Sequence, residues 1–297
     1  MEDLLSLQNI SEYAEAGEEV FGELEIKNKD ILTNITIELS IICRENVNFR
    51  SLDNGTTVCS DKVASQKSKH AESVFKFSEL KKEGHSIKFI LKLPKNLQPT
   101  CYVERLGDVA CVEYYIRACL VAEGKNLGKT SSSITILPCA AGIPSLEHLV
   151  NFRGCCLNYG TLNIVTMFSK LSWQLNETIS IELSLNNSKS SVKILNIGFE
   201  LWKYIKLRDK HNNLESCSTL IHRGSEQVNF AFGDSLTAEG VLNIRINLNN
   251  CSDKLENHVT SIGELLCCEY VVKFVVSGKA FCGTLEAGFS RPLVIRH

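Results

Sequence analysis

Apolar residues recur at every second position along most of this chain, the pattern of strands that bury one face and expose the other. Clear runs are Ile35, Ile37, Leu39, Ile41, then Ile87, Phe89, Leu91, Leu93, then Val112, Tyr114, Ile116, Ala118, Leu120. Later come Leu242, Ile244, Ile246, Leu248 and Tyr270, Val272, Phe274, Val276. Long amphipathic helical stretches are missing, and only Ala140 to Val150 offers a short helical pattern. Leu52 to Ser73 is polar and lacks periodicity, so it reads as a long surface loop. The expected fold class is therefore all-β.

The alternation is duplicated. Gly17-Glu18-x-Val20-x-Gly22-x-Leu24-x-Ile26-x-Asn28 parallels Asn176-Glu177-x-Ile179-x-Ile181-x-Leu183-x-Leu185-x-Asn187, 159 positions later. Glu113-Tyr114-x-Ile116-Arg117 parallels Glu269-Tyr270-x-Val272-Lys273, 156 later, and Ile134-Thr135-Ile136 parallels Leu293-Val294-Ile295, again 159 later. Three pairs in one order and near one offset point to an internal repeat. Gly17 and Asn176 suit a turn with positive φ ahead of a strand. Each half reads as a sandwich of antiparallel strands. The segment Pro138 to Pro144 is the natural linker, and the reading is a first domain over 1–138, a linker over 139–148 and a second domain over 149–297.

Composition narrows the function classes. The 297 residues are 44% hydrophobic and 22% charged with only 5 prolines, which excludes a disordered or collagen-like chain. A formal charge of −2 lacks the basic excess that a nucleic-acid binder uses to replace counterions. The acidic start, Met1-Glu2-Asp3-Leu4-Leu5, is unlike a secretory signal, and no apolar run approaches a membrane span. The expected location is cytoplasmic. The 13 cysteines then read as reduced thiols, with Cys43, Cys111, Cys119 and Cys268 in or beside apolar runs. Sequons such as Asn34-Ile35-Thr36 and Asn176-Glu177-Thr178 carry little weight in a protein that is not secreted.

Candidate chemistry is sparse. No Cys-x-x-Cys occurs, and the vicinal pairs Cys155-Cys156 and Cys267-Cys268 place adjacent side chains on opposite strand faces, so neither metal nor other cofactor is expected. Cys217 and His222 are close in sequence but come without an orienting group or oxyanion signature, and read as loop residues. Glu12, Glu15, Glu18 and Glu19 read as a solvated edge. The chain has no phosphate-cradling glycine loop and no Gly-x-Ser-x-Gly elbow, so it is not expected to be an enzyme. One basic run stands out: Lys203, Lys206, Arg208 and Lys210 after Ile197, Phe199 and Leu201. Alternation puts Lys206, Arg208 and Lys210 on one face, either a solvated strand face or a small patch for phosphoinositide head groups or phosphorylated tails. Lys62, Lys67 and Lys69 on the expected loop make a weaker version of that case.

At this point the residues resemble a known family. Ala16-Gly17-Glu18-Glu19-Val20-Phe21-Gly22 resembles the opening turn and strand of arrestin N-domains, and Val112 to Ala118 resembles their late strand. Gly154-Cys155-Cys156 through Leu185-Asn186-Asn187-Ser188 resembles the start of an arrestin C-domain, and Arg291-Pro292-Leu293-Val294-Ile295 its closing strand. The likeness is strongest to α-arrestins, the arrestin-domain-containing proteins. It implies two tandem immunoglobulin-like β-sandwich domains acting as a non-catalytic adaptor in protein transport, endocytosis or signalling. The implied partners are membrane cargo tails and trafficking machinery, met through strand edges at endosomal or plasma membranes. None of the prolines are adjacent, so the Pro-Pro-x-Tyr motifs with which many α-arrestins recruit WW-domain ligases are missing, and the chain reads as the core alone. Two alternatives stay open: a retromer-like sorting subunit, and an extracellular β-sandwich adhesion module.

Overall fold

The alternating segments are strands, and almost nothing else is regular. The computed structural model describes residues 4–28, 31–52, 59–81, 83–105, 108–138, 145–154, 157–233, 239–255, 259–281 and 283–296. In the first half the strands are β1 (Leu5–Gln8), β2 (Tyr13–Glu15), β3 (Glu19–Asn28), β4 (Leu32–Leu52), β5 (Cys59–Leu80), β6 (Glu83–Lys92), β7 (Cys101–Arg105), β8 (Asp108–Ala122) and β9 (Lys125–Leu137). The second half carries β10 (Ser145–Gly154), β11 (Leu157–Phe168), β12 (Trp173–Gln174), β13 (Thr178–Asn186), β14 (Lys193–Arg208), β15 (Leu214–Phe230) and β16 (Glu239–Asn247). A 3-10 turn, Leu248–Cys251, leads into one helical turn, α1 (Ser252–Leu255), and β17 (Ser261–Ile262), β18 (Leu266–Ala280), β19 (Gly283–Leu293) and β20 (Ile295–Arg296) close the chain. The protein is all-β.

Two sheets make up each half, and their orders match. In the first half β1-β3-β6 form one sheet, and β2-β9-β8-β4-β5, with β7 on β8, form the other. In the second half β10-β11-β13-β16 form one sheet, while β15-β14-β18 carries β17 and β19 on β18 and β12 pairs β20. Thus β1, β3 and β6 correspond to β11, β13 and β16, and β4, β5, β7 and β8 to β14, β15, β17 and β18. The register repeats as well as the order. Leu24 faces Leu7 and Ile87, and Leu183 faces Thr166 and Leu242. Tyr114 pairs Ile134 as Tyr270 pairs Leu293. Ala14 lies parallel to Ile136 as Trp173 lies parallel to Ile295.

The turns ahead of β3 and β13 show the same repetition at the level of hydrogen bonds. The Glu18 carboxylate accepts the Glu15 amide at 2.8 Å, and the Glu177 carboxylate accepts the Gln174 amide at 2.9 Å. The Leu93 amide donates to the Glu18 carbonyl as the Leu248 amide donates to that of Glu177. Gly17 has φ +91°, a conformation that L side chains rarely adopt, as expected. Asn176 is not among the residues with positive φ, so its turn is held by the Glu177 carboxylate rather than by a left-handed residue.

Each sheet buries one face. Val20, Leu24 and Ile26 on β3, Phe89 and Leu91 on β6, and Ile35 to Ile41 at alternate positions on β4 are all buried. In the second half Ile179, Ile181, Leu183, Ile244, Ile246, Val272 and Phe274 repeat that arrangement. Each such side chain stabilises the fold by roughly 1.5–3 kcal/mol relative to exposure. Contacts gather the chain into two compact units. The first is Met1–Cys139 with Lys206–Glu215 and Ser261–Cys267; the second is Ala140–Ile205, Ser216–Thr260 and Cys268–His297.

Two segments also differ from their sequence-based assignment. Residues 59–73 do not form a loop: β5 runs antiparallel to β4 from Leu52↔Cys59 to Leu32↔Leu80. Its polar sequence reflects an edge strand that makes its ladder on one side, so period-two apolarity is absent although the strand is not. Residues 145–150 are strand β10 rather than helix, with Val150 and Phe152 buried one residue apart on the face toward the core. Positions 53–58, 140–144 and the Cys155-Cys156 pair lie outside the described residues.

Candidate functional site

The basic run divides between the two faces of β14. Lys203 sits in the inward series Leu201, Lys203, Ile205, Leu207 and is 1% exposed. Its ammonium donates to the backbone carbonyls of Lys254 at 2.8 Å and Leu255 at 3.5 Å. It therefore does not belong to a surface patch. Lys206 and Arg208 lie on the exposed face, and Lys210 is exposed in the turn that follows. That turn is shaped by buried Asp209, which accepts the amides of His211 at 2.8 Å and Asn213 at 2.9 Å. Lys67 and Lys69 are exposed on β5, where Lys69 pairs with Glu72.

Cys217 and His222 are not loop residues but lie on β15. Five positions apart on a strand, they face opposite sides and stand ~16 Å apart, which excludes a direct nucleophile–base contact. His222 lies instead against the Phe199 ring, and burial and Lys254 push its pKa below the ordinary 6.5. Cys267 is half-buried and Cys268 buried, as neighbours on β18 with opposite orientations. Among the described residues no three His, Cys, Asp or Glu side chains converge as a metal would require.

A polar pocket forms in the first unit. It is a cavity of about 420 Å³ lined by Cys43 and Glu45 of β4, Gln66, Ser68 and His70 of β5, Tyr114 of β8, Asn96, Gln98, and the turn Ile262-Gly263-Glu264. On β4, Glu45 takes an inward position in the series Ile41, Cys43, Glu45, Val47, Phe49 and lines the cavity. Glu45 is 3% exposed. Its Oε1 accepts the amides of Leu265 at 2.8 Å and Leu266 at 2.6 Å, which holds the covering turn against the sheet and compensates the buried charge. Its Oε2 has a long contact of 3.5 Å from Gln98 Nε2.

His70 reaches the pocket through a bulge. The β4–β5 register passes from Ile41↔Ala71 to Ile42↔Lys69, so His70 is the extra residue and its ring is turned toward the cavity. There it lies 6.0 Å from the Tyr114 ring and makes a 2.7 Å hydrogen bond between Nε2 and Ser68 Oγ. Burial pushes its pKa below 6.5, so the imidazole is neutral at pH 7. Burial raises the Cys43 and Tyr114 pKa values, so both stay protonated, and the Tyr114 hydroxyl donates to the Gln98 carbonyl at 2.7 Å.

The pocket combines many acceptors with no Lys or Arg in its lining. Gln98 Oε1 is buried without a hydrogen-bond partner among the described residues. A methyl group on Gly263 would collide with both Gln98 Oε1 and Glu45 Oε1, so the two acceptors converge at this glycine. The Ser68–His70 pair has the distance of a nucleophile and base, but the amides of Leu265 and Leu266, which an oxyanion would need, already donate to Glu45. The arrangement is suited to holding a positively charged group rather than to acyl transfer.

The sequence carries one signal for this site, a carboxylate at an inward position of an alternating apolar run. Lys203 is its counterpart in the second half. His70, Gln98 and Gly263 had no local signal, because a bulge, a coil and a distant turn bring them together. No family model matches the sequence, and no curated protein matches it either.

Proposed function

We propose that this chain is a non-catalytic adaptor of the arrestin type, made of two tandem immunoglobulin-like sandwiches over 1–138 and 149–297 joined by 139–148. The observation that carries the reading is the repeated strand frame, with its matching orders, registers and turn hydrogen bonds. A repeated frame that shares no catalytic constellation among the described residues serves binding more readily than chemistry. In each half a long strand, β5 or β15, forms one end of its sheet. Such an edge offers backbone donors and acceptors to an extended segment of a partner. The partners are taken to be cytoplasmic tails of membrane cargo and trafficking proteins, with the protein in the cytoplasm or peripheral to endosomal or plasma membranes. Exposed Lys206, Arg208 and Lys210 would add at most a weak contact to phosphorylated head groups.

Co-purification of the intact chain from cells tests this reading. Recovery of membrane-trafficking proteins is the expected result, and recovery of none contradicts it.

A further inference from the structure

We propose that the pocket formed by Glu45, Gln98, Ser68, His70 and Gly263 receives the guanidinium group of an arginine on an extended partner segment that adds to the free edge of β5. The inference deepens the adaptor reading and rests on it for the peptide. The pocket's preference for a guanidinium stands on its own geometry.

The cavity favours a donor. Gln98 Oε1 is a buried acceptor with no donor among the described residues, a costly state for an amide oxygen. It packs against Gly263 beside Glu45 Oε1, which already accepts from Leu265 and Leu266, while among the described residues Glu45 Oε2 has the long 3.5 Å contact with Gln98. Glu264 at the rim adds a second carboxylate, and the cavity lining contains no fixed cation. Oxygens from two residues in different directions match a planar group with five N–H donors better than a compact ammonium. The position of the pocket identifies the carrier. Gln66, Ser68 and His70 lie on the face of β5 that borders the cavity, and β5 ends its sheet. A strand added about 4.8 Å beyond β5 would place alternate side chains on that same face, beside the cavity mouth. Main-chain hydrogen bonds would then hold the segment, and the pocket would select the side chain.

The test is a titration of the intact, isotope-labelled chain followed by amide chemical shifts. The probes are the peptide acetyl-Thr-Val-Arg-Val-Thr-amide, its citrulline counterpart, and agmatine. Citrulline keeps the shape of arginine and removes the charge. The arginine peptide is expected to shift Gly263, Leu265 and β5 amides, with the citrulline peptide bound roughly tenfold more weakly. Gln98→Leu, which removes the unpaired oxygen and leaves Glu45 in place, is expected to fold normally and to weaken arginine-peptide binding by about the same factor. Shifts at Gly263 with agmatine but none on β5 with either peptide would support the pocket and overturn the edge as carrier. Equal binding of the two peptides, or no shift at Gly263 with any probe, overturns the guanidinium site while leaving the adaptor reading to its own test.

Discussion

Glu45 and Lys203 occupy similar places in the two halves yet carry opposite charges. Each stands at an inward position of the strand beside the central one, β4 next to β8 and β14 next to β18. Each is held by backbone groups of a covering segment, amides of Leu265 and Leu266 for the carboxylate and carbonyls of Lys254 and Leu255 for the ammonium. The first carries an unpaired acceptor and a sizeable cavity beside it. The comparison teaches that strand order and register repeat between the halves, whereas the covering segments differ and give each half a different polar centre.

Changes to the shared frame should have the largest and most equal effects. Leu24→Ala and Leu183→Ala remove fully buried side chains at matching positions, and each is expected to cost about 2–5 kcal/mol in denaturant unfolding. A large cost for one and almost none for the other would break the equivalence. The polar centres come next. Glu45→Leu and Lys203→Met each leave backbone groups without a partner, a loss of about 1–3 kcal/mol.

Acid should weaken both halves in one direction. Desolvation lowers the pKa of His70 in the first half and of His148 and His222 in the second below 6.5, so the folded state prefers their neutral forms. Their contribution is fully present above pH 6.5 and is lost as pH falls through the lowered folded values. Glu177, lowered by its hydrogen bond from Lys170, and Glu200, lowered by that from Trp202, add a further loss below pH 4.5. Melting temperature is therefore expected to fall on acidification from pH 7, and a flat profile down to pH 4 would contradict these environments. The smallest effect belongs to the duplicated turn carboxylates. Glu18→Ala and Glu177→Ala should each cost less than about 1 kcal/mol, with Glu177→Ala the larger because its carboxylate also accepts from Lys170.

The fold was largely legible in the sequence because an apolar face reports itself at every second residue. Leu24 and Leu183, or Tyr114 and Tyr270, could be aligned before any strand was placed. β5 was not legible, since Ser65, Lys67, Ser68 and Lys69 are polar on both faces and its order comes from pairing with β4. β10 has few apolar residues and its alternation begins late, so its sequence resembles a short helical stretch. The candidate site was mostly hidden. Glu45 could have been found as a charge inside an apolar series, but Gln98 and Gly263 lie far from it in sequence and reach it only through folding.

Residue-resolved amide hydrogen exchange tests the central claim most directly, comparing the native chain with Glu45→Leu and Lys203→Met. The amides of β8 and β18 should be protected to the same degree, as central strands of one repeated frame. Leu265 and Leu266 should be protected in the native chain and in Lys203→Met, and exchange about tenfold faster in Glu45→Leu. Slow exchange on β8 with rapid exchange on β18, or native Leu265 and Leu266 exchanging at the rate of an open loop, would contradict it.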